Sequence, residues 1–434
     1  MKRCLVLASL LVPSIALGQP ADPPASSDEP TLPEAPIASP PADTSPSESP
    51  TPAPVPEPAV DPANHTGRRL NGLPCGNVVR SRNRNFDPQW PELDQDRCRE
   101  TRPAFPVWNP NAAIDLELVT QGRYTVKDGD NLSEIKLDRG EVGVRLPIGG
   151  WLSAQFRAET LRSAQDGGAL GIGGDSTVVR VKYANVIVHG EVSGFDIEGG
   201  AGFIADPWIQ SLETSYSLKP LSRTGSERLL GWQTADLAAM GRVAYGPARL
   251  TVNIGNGEGQ SYPERNNGKT TTGVVEVVAL HNSDARVTLM GMGRDGSVGP
   301  SRIRDRRAGG GATAVFDVAR VGFEIVRAWG IADNGAAKGT EVGAWAEANV
   351  AHKLFVGARG STLGYSAGGR SSTFGGAISY GDSFKDAGNA RVWLAVDRIT
   401  NSGDAMPLVG ADSGDQTVIM LMLSGDATYA PKGD

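Results

Sequence analysis

From Ala112 onward, apolar and polar positions alternate with a period of two, in runs of about ten residues. Ile114, Leu116 and Leu118 alternate with Asp115 and Glu117. Leu152, Ala154, Phe156 and Ala158 alternate with Ser153, Gln155, Arg157 and Glu159. Leu250, Val252 and Ile254 alternate with Arg249, Thr251 and Asn253, and Val392, Leu394 and Val396 with Arg391, Trp393 and Asp397. Such spacing puts one set of side chains on each face of a sheet. Short connectors at 147–150, 184–185, 246–247, 281–284, 319–320 and 351–353 separate the runs in turn with longer polar segments. The longer ones are 165–176, 256–271, 295–307, 333–340, 366–372 and 401–415, while 382–389 is long for a short connector. Short turns at one end and long loops at the other are the asymmetry of a transmembrane barrel. The expected fold is therefore all-β, a transmembrane antiparallel β-barrel of about 16 strands spanning 112–434. An even count brings both ends to the periplasmic side. A soluble sandwich or propeller also has many short strands, without this alternation in connector length.

The alternation stops for about forty residues at 196–234, DIEGGAGFIADPWIQSLETSYSLKPLSRTGSERLLGWQT. A long structureless insertion in a β domain is uncommon and tends to be functional. It follows the fifth strand, which makes it the third external loop, and it is expected to fold into the barrel mouth and narrow it. Its candidate residues are Lys219, Arg223, Arg228, Glu213, Asp206 and Trp208, with Glu198 and Glu227 as further acids.

Charges in phase with the strands should face the lumen, because Arg or Lys facing lipid at the midplane costs about 2–4 kcal/mol. This assigns Arg145, Arg157, Arg180, Lys182, Arg249, Arg286, Arg359 and Arg391 to the interior. Asp115, Glu117, Glu141, Glu159, Glu324, Glu347 and Asp397 join them. Mixed charge implies weak selectivity with a slight lean to anions. The same residues could also pair with one another and only hold the barrel's shape.

Composition adds the regions before the barrel. Lys2 and Arg3, the apolar stretch 5–17 and small residues 16–18 read as a signal peptide over 1–19. Residues 20–64 hold 15 of the 30 prolines and eight acids with no Lys or Arg, the composition of a disordered tether. Without residues 1–64 the chain has 41 acidic and 40 basic residues, so the excess acidity belongs to the tether. Residues 65–111 form a small periplasmic lead-in in which Cys75 and Cys98 are expected to pair as a disulfide. Its basic run is not expected to meet nucleic acid in an exported protein. Beyond the N-terminus no window holds 18 consecutive apolar residues, so a helical span is excluded. Two features sit awkwardly with a barrel. Aromatics are only 6% of the chain, thin for interfacial girdles, and the last run, VIMLML, is apolar on both faces before the chain ends ATYAPKGD.

No enzyme is expected. His65, His189, His281 and His352 fall in no Ser/His/acid or metal-ligand arrangement. Gly381-Asp382-Ser383 lies in an expected turn, and the glycine-rich 167–174 lacks the strand–loop–helix setting of a phosphate cradle. No catalytic residue, metal or cofactor is assigned.

Pro207, Trp208, Ile209 and Glu213 in the third loop, Asn256-Gly257-Glu258-Gly259 after strand seven, and Asn267-Gly268-Lys269 before strand eight together resemble the phosphate-selective porin (porin O/P) family. The two glycine motifs are equally good turn chemistry. The resemblance spans roughly 112–424. It implies a 16-stranded outer-membrane channel that passes anions, commonly a trimer, with the third loop at the constriction. The family's basic lining is not matched: the third loop offers Lys219, Arg223 and Arg228 against Glu198, Asp206, Glu213 and Glu227, and phosphate selectivity is not carried over. The expectation is a bacterial outer-membrane, porin-like channel for small hydrophilic solutes or anions. The alternative is a structural or adhesive barrel with a closed lumen, tied to the cell wall or envelope by its Pro-rich tail.

Overall fold

The computed structural model describes residues 112–429 apart from 128–129, 149–150, 164–175, 260–266, 283–284, 299–301, 317, 332–333, 352, 385–387 and 403–414. The expected signal peptide, tether and lead-in, with the expected Cys75–Cys98 disulfide, lie outside the described residues. Sixteen strands form one closed antiparallel barrel. In order they are β1 (Ala113–Lys127), β2 (Asp130–Ile148), β3 (Leu152–Ser163), β4 (Ser176–Val192), β5 (Phe195–Ala205), β6 (Ala235–Tyr245), β7 (Ala248–Gly255) and β8 (Thr270–His281). Then come β9 (Ala285–Val298), β10 (Ile303–Phe316), β11 (Ala319–Ile331), β12 (Asn334–Ala351), β13 (Leu354–Tyr365), β14 (Arg370–Phe384), β15 (Gly388–Ser402) and β16 (Gln416–Tyr429). Each strand pairs with its sequence neighbours, and β1 closes on β16 from Ile114↔Tyr429 to Lys127↔Gln416. Closure leaves no unpaired edge, which a lipid-facing sheet cannot tolerate.

The count of sixteen stands, but several boundaries move. The 184–185 connector lies inside β4, and the turn is Ser193–Gly194, with φ of 51° and 81°. A bulge caused the misreading: Arg157 pairs with Tyr183 and Ala158 with Val181, so Lys182 is an extra residue in the ladder. Lys182 and Tyr183 are consequently both buried, and the alternation skips a beat there. The stretch 196–205 is strand, not loop, because β5 runs to Ala205. Its Gly199-Gly200-Ala201-Gly202 core carries almost no side chains with which to alternate. The connector at 382–389 shrinks to 385–387, and the turn placed at 319–320 falls at 317–318. Segments 295–307 and 333–340 are mostly strand, since β10 begins at Ile303 and β12 at Asn334.

The two faces of the wall differ as the alternation requires. Leu116, Leu118, Leu146, Phe156, Val186, Leu250, Leu289, Ile325, Leu394 and Leu421 point outward and are exposed. So continuous an apolar outer surface on a closed barrel is what hydrocarbon covers and water does not. The scarce aromatics are concentrated rather than missing. Trp151, Phe195, Tyr245, Phe316 and Tyr380 are exposed near the end of the barrel that carries the short turns, and Phe195 stacks on Tyr245 at 4.5 Å. Aromatic rings prefer the headgroup level, where an apolar body and a polar rim are both satisfied. The doubly apolar last strand also finds its reason. Ile419, Leu421 and Leu423 face outward, while Val418, Met420 and Met422 face inward onto a hydrophobic cluster inside the barrel.

Candidate functional site

That cluster is built by residues 206–234, which leave β5 and return to β6 inside the lumen. Asp206 N–H donates to Thr234 O at 2.9 Å, so the loop opens and closes through one neck. Two short helices order it: α1 (Pro207–Glu213) and α2 (Gly225–Leu229). Both starts are written in the sequence. Asp206 caps α1, its carboxylate accepting from the N–H groups of Trp208 and Ile209, and Pro207 occupies the first helical position. Thr224 and Glu227 form a reciprocal capping box on α2. The T-G-S-E spacing is a signal that the alternation-based reading passed over.

The loop is packed in, not draped. Trp208, Ile209, Leu212, Tyr216, Leu218, Leu229, Leu230 and Trp232 are buried against Val119, Val274, Met290, Val326, Trp345, Leu363, Trp393 and Met420 of the wall. Fully burying a side chain of this size contributes about 1.5–3 kcal/mol. Glycines in the wall make room. A side-chain carbon on Gly357 would lie 2.6 Å from Leu218 Cδ2, and one on Gly311 3.4 Å from the Trp208 ring. Trp208 Nε1–H donates to Ser226 Oγ at 3.2 Å and so ties α1 to α2. Tyr216 meets Trp345 edge-on at 5.2 Å.

Charged contacts pin the loop to the wall. Glu324 on β11 accepts from the N–H groups of Gly225 and Ser226 and from the Ser226 hydroxyl. Asp206 meets Arg294, itself 2.8 Å from Asp305. Trp232 lies against both Arg294 and Arg307, with guanidinium carbons 5.4 and 4.5 Å from its ring centre. Arg139 reaches Lys219 O. Arg139, Arg294, Arg307, Asp305 and Glu341 were absent from the lumen assignment, although all are in phase with their strands. Arg307 and Asp305 were hidden inside what read as a loop.

The loop's acids are spoken for. Burial works against the charge on Glu213, yet Lys219 at 2.7 Å holds its carboxyl below the usual range, while burial pulls Lys219 itself down. Burial pushes Asp206 up, with Arg294 opposing, and burial beside Glu213 pushes Glu227 up. Arg228 bonds Ser361 Oγ, and burial together with neighbouring Arg359 brings it down to about 10, still charged at neutral pH. Arg223, by contrast, is exposed. It is the charged side chain that the loop presents to solvent.

The inner wall carries the assigned charges mostly in pairs. Glu141 meets Arg157 at 2.6 Å and Lys182 at 2.8 Å, and Arg157 also approaches Glu117. Arg180 pairs with Glu159, Arg249 with Glu276, Arg359 with Asp397, and Arg391 with Glu347. Arg145, Asp115 and Arg286 line the same face. The NGEG stretch is turn chemistry: Gly257 and Gly259 take φ of 84° and 74°, and their N–H groups donate to the Asp236 carboxylate. Lys269 donates to Asn256 Oδ1 across the same loop. Among the described residues, no group of three or more His, Cys, Asp or Glu side chains is arranged to hold a metal ion.

No protein-family model and no curated protein matches the chain. Among solved structures it is similar to an anion-selective porin from Comamonas acidovorans, at 15% identity over 73% of this chain and 99% of that one, with a TM-score of 0.49. It is also similar to the outer-membrane protein OmpT of Vibrio cholerae, at 11% identity over 74% and 99% of the two chains, with a TM-score of 0.47. The outer-membrane channel DcaP of Acinetobacter baumannii matches at 9% identity over 74% and 99%, with a TM-score of 0.45.

Proposed function

We propose that the chain is an outer-membrane, porin-like channel for passive diffusion of small hydrophilic solutes, with residues 206–234 as its constriction. The observation that carries this reading is the inward-folded loop, held to a charged inner wall inside a barrel whose outside is apolar. A modest anion preference follows from how the loop's charges are spent. Asp206, Glu213 and Glu227 are buried, while Arg223 stays exposed. Counting loop charges alone gives near balance; counting the exposed one gives a cation, which attracts anions. Nothing in this arrangement calls for phosphate selectivity.

Purified protein in a planar bilayer is expected to form stable channels with a weakly anion-selective reversal potential. Arg223→Glu should move that potential toward cations, with little change in fold because the side chain is exposed. An unchanged potential would remove Arg223 from the conduction path. A second reading is a structural barrel with a closed lumen, favoured by the density of apolar packing between loop and wall. Folded protein that gives no conductance supports it against the channel.

A further inference from the structure

The outer wall carries a feature that a channel does not require. Arg304 and Arg306 on β10, Arg327 on β11, Lys338 on β12, Arg370 on β14 and Arg398 on β15 sit on the outward phase of their strands. Their inward neighbours Asp305, Arg307, Val326, Ala328, Gly339 and Asp397 are buried. Every one of the six lies within five residues of the strand end opposite the short turns. Arg306, Trp329 and Lys338 are direct cross-strand neighbours in one row. Arg327 lies over the Trp329 ring at 5.8 Å, and Arg370 Nε is 3.6 Å from the outward position of Gly364. Below the row the same strands turn apolar, with Phe323, Ile325, Ile378, Leu394 and Val396 exposed.

Among the described residues the arc is under-neutralised. Asp295 reaches Arg304 at 2.5 Å and Arg306 at 3.7 Å, and Asp415 reaches Arg398 at 2.8 Å. Among the described residues two acids thus serve six cations, and the side chains of Arg304, Arg306 and Arg398 remain 62%, 51% and 50% exposed. The matching outer positions on β1, β4, β7 and β8 hold Tyr124, Val126, Val179, Ile254 and Thr271, with no charge.

We infer that this arc, on β10–β15 at the outer edge of the apolar band, binds the phosphate groups of glycolipid headgroups in the outer leaflet. The inference rests on the outer-membrane reading but not on conduction. Cations at the headgroup level with apolar wall beneath them match a ligand that has phosphates above acyl chains. The planar guanidinium fork suits phosphate oxygens better than an ammonium does.

The test uses the purified full chain in detergent, with bis-phosphorylated lipid A, dephosphorylated lipid A and inorganic phosphate as probes, read by native mass spectrometry. Wild type should retain the bis-phosphorylated lipid and bind the dephosphorylated one at least tenfold more weakly. Inorganic phosphate at equal concentration should not displace the lipid. The triple variant Arg306→Ser/Arg327→Ser/Lys338→Ser should bind on the order of 100-fold more weakly, at about 1 kcal/mol per basic group near an anionic surface. Equal retention of both lipids, an unaffected triple variant, or a variant that changes only oligomeric state would each overturn the inference. Bilayer conductance of the same preparations separates the two readings: channels without lipid retention sink this one alone, and retention without channels sinks the channel.

Discussion

Glu141→Ala will cost about 3–5 kcal/mol of stability, the range for removing one member of a buried ionic cluster. Glu141 has a fully buried side chain and is gripped by Arg157 at 2.6 Å, Lys182 at 2.8 Å and Arg139 at 3.9 Å. Removing it leaves four cations, Arg139, Arg157, Arg180 and Lys182, with Glu117 and Glu159 as the acids within ion-pair distance, in a wall that water barely reaches. The loss comes from stranded charge more than from a missing bond. A companion variant makes that distinction measurable. Glu141→Leu/Arg157→Met/Lys182→Met removes the cluster's centre and restores a balance of two cations to two acids, so it should recover most of the loss. Urea titration of refolding into lipid vesicles, followed by tryptophan fluorescence, reads both. If the triple variant is no more stable than Glu141→Ala, stranded charge is not the cause.

Trp208→Ala will loosen the loop by about 3–5 kcal/mol while leaving the barrel ladder closed. The indole is completely buried, hydrogen-bonds Ser226 and lies against the wall at Gly311, where no side chain competes for the space. Truncation opens a cavity between two helices too short to persist unaided. The sixteen strands depend on it far less, because their hydrogen bonds run to neighbouring strands. Hydrogen exchange should therefore quicken by on the order of 100-fold or more for amides in 207–230, with the strand amides unchanged. Uniform acceleration across barrel and loop would show that the loop is part of the barrel's own stability. In the bilayer the same variant should give channels with a wider spread of conductance.

How far the chain was legible follows from where side chains alternate cleanly. Ile114, Leu116 and Leu118 against Asp115 and Glu117 read directly as two faces, and strands of that kind supplied the count. Glycine hid β5, because Gly199, Gly200 and Gly202 offer no polarity to read. The bulge at Lys182 hid the middle of β4 by placing two consecutive side chains inward. The position of the long interruption could be read from strand order, but its interior could not. A polar lumen was expected, and local pattern gives no warning that Trp208, Leu218 and Trp232 would find apolar partners as distant as Met420. Only the inward methionines of β16 hinted at it, as an irregularity. Charges in phase were legible one by one; their pairing, which separates exposed Arg223 from buried Glu213, depends on which strands become neighbours.

The single neck of the loop carries a topological consequence. Because Asp206 and Thr234 are joined where the chain enters and leaves, everything between them is a pendant hung from two adjacent strands. Among the described residues no segment passes through the barrel from one rim to the other, and none of the described strands must be threaded past the loop as the wall closes. The ring of strands can be completed first and the pendant seated afterwards, like a stopper on a short chain.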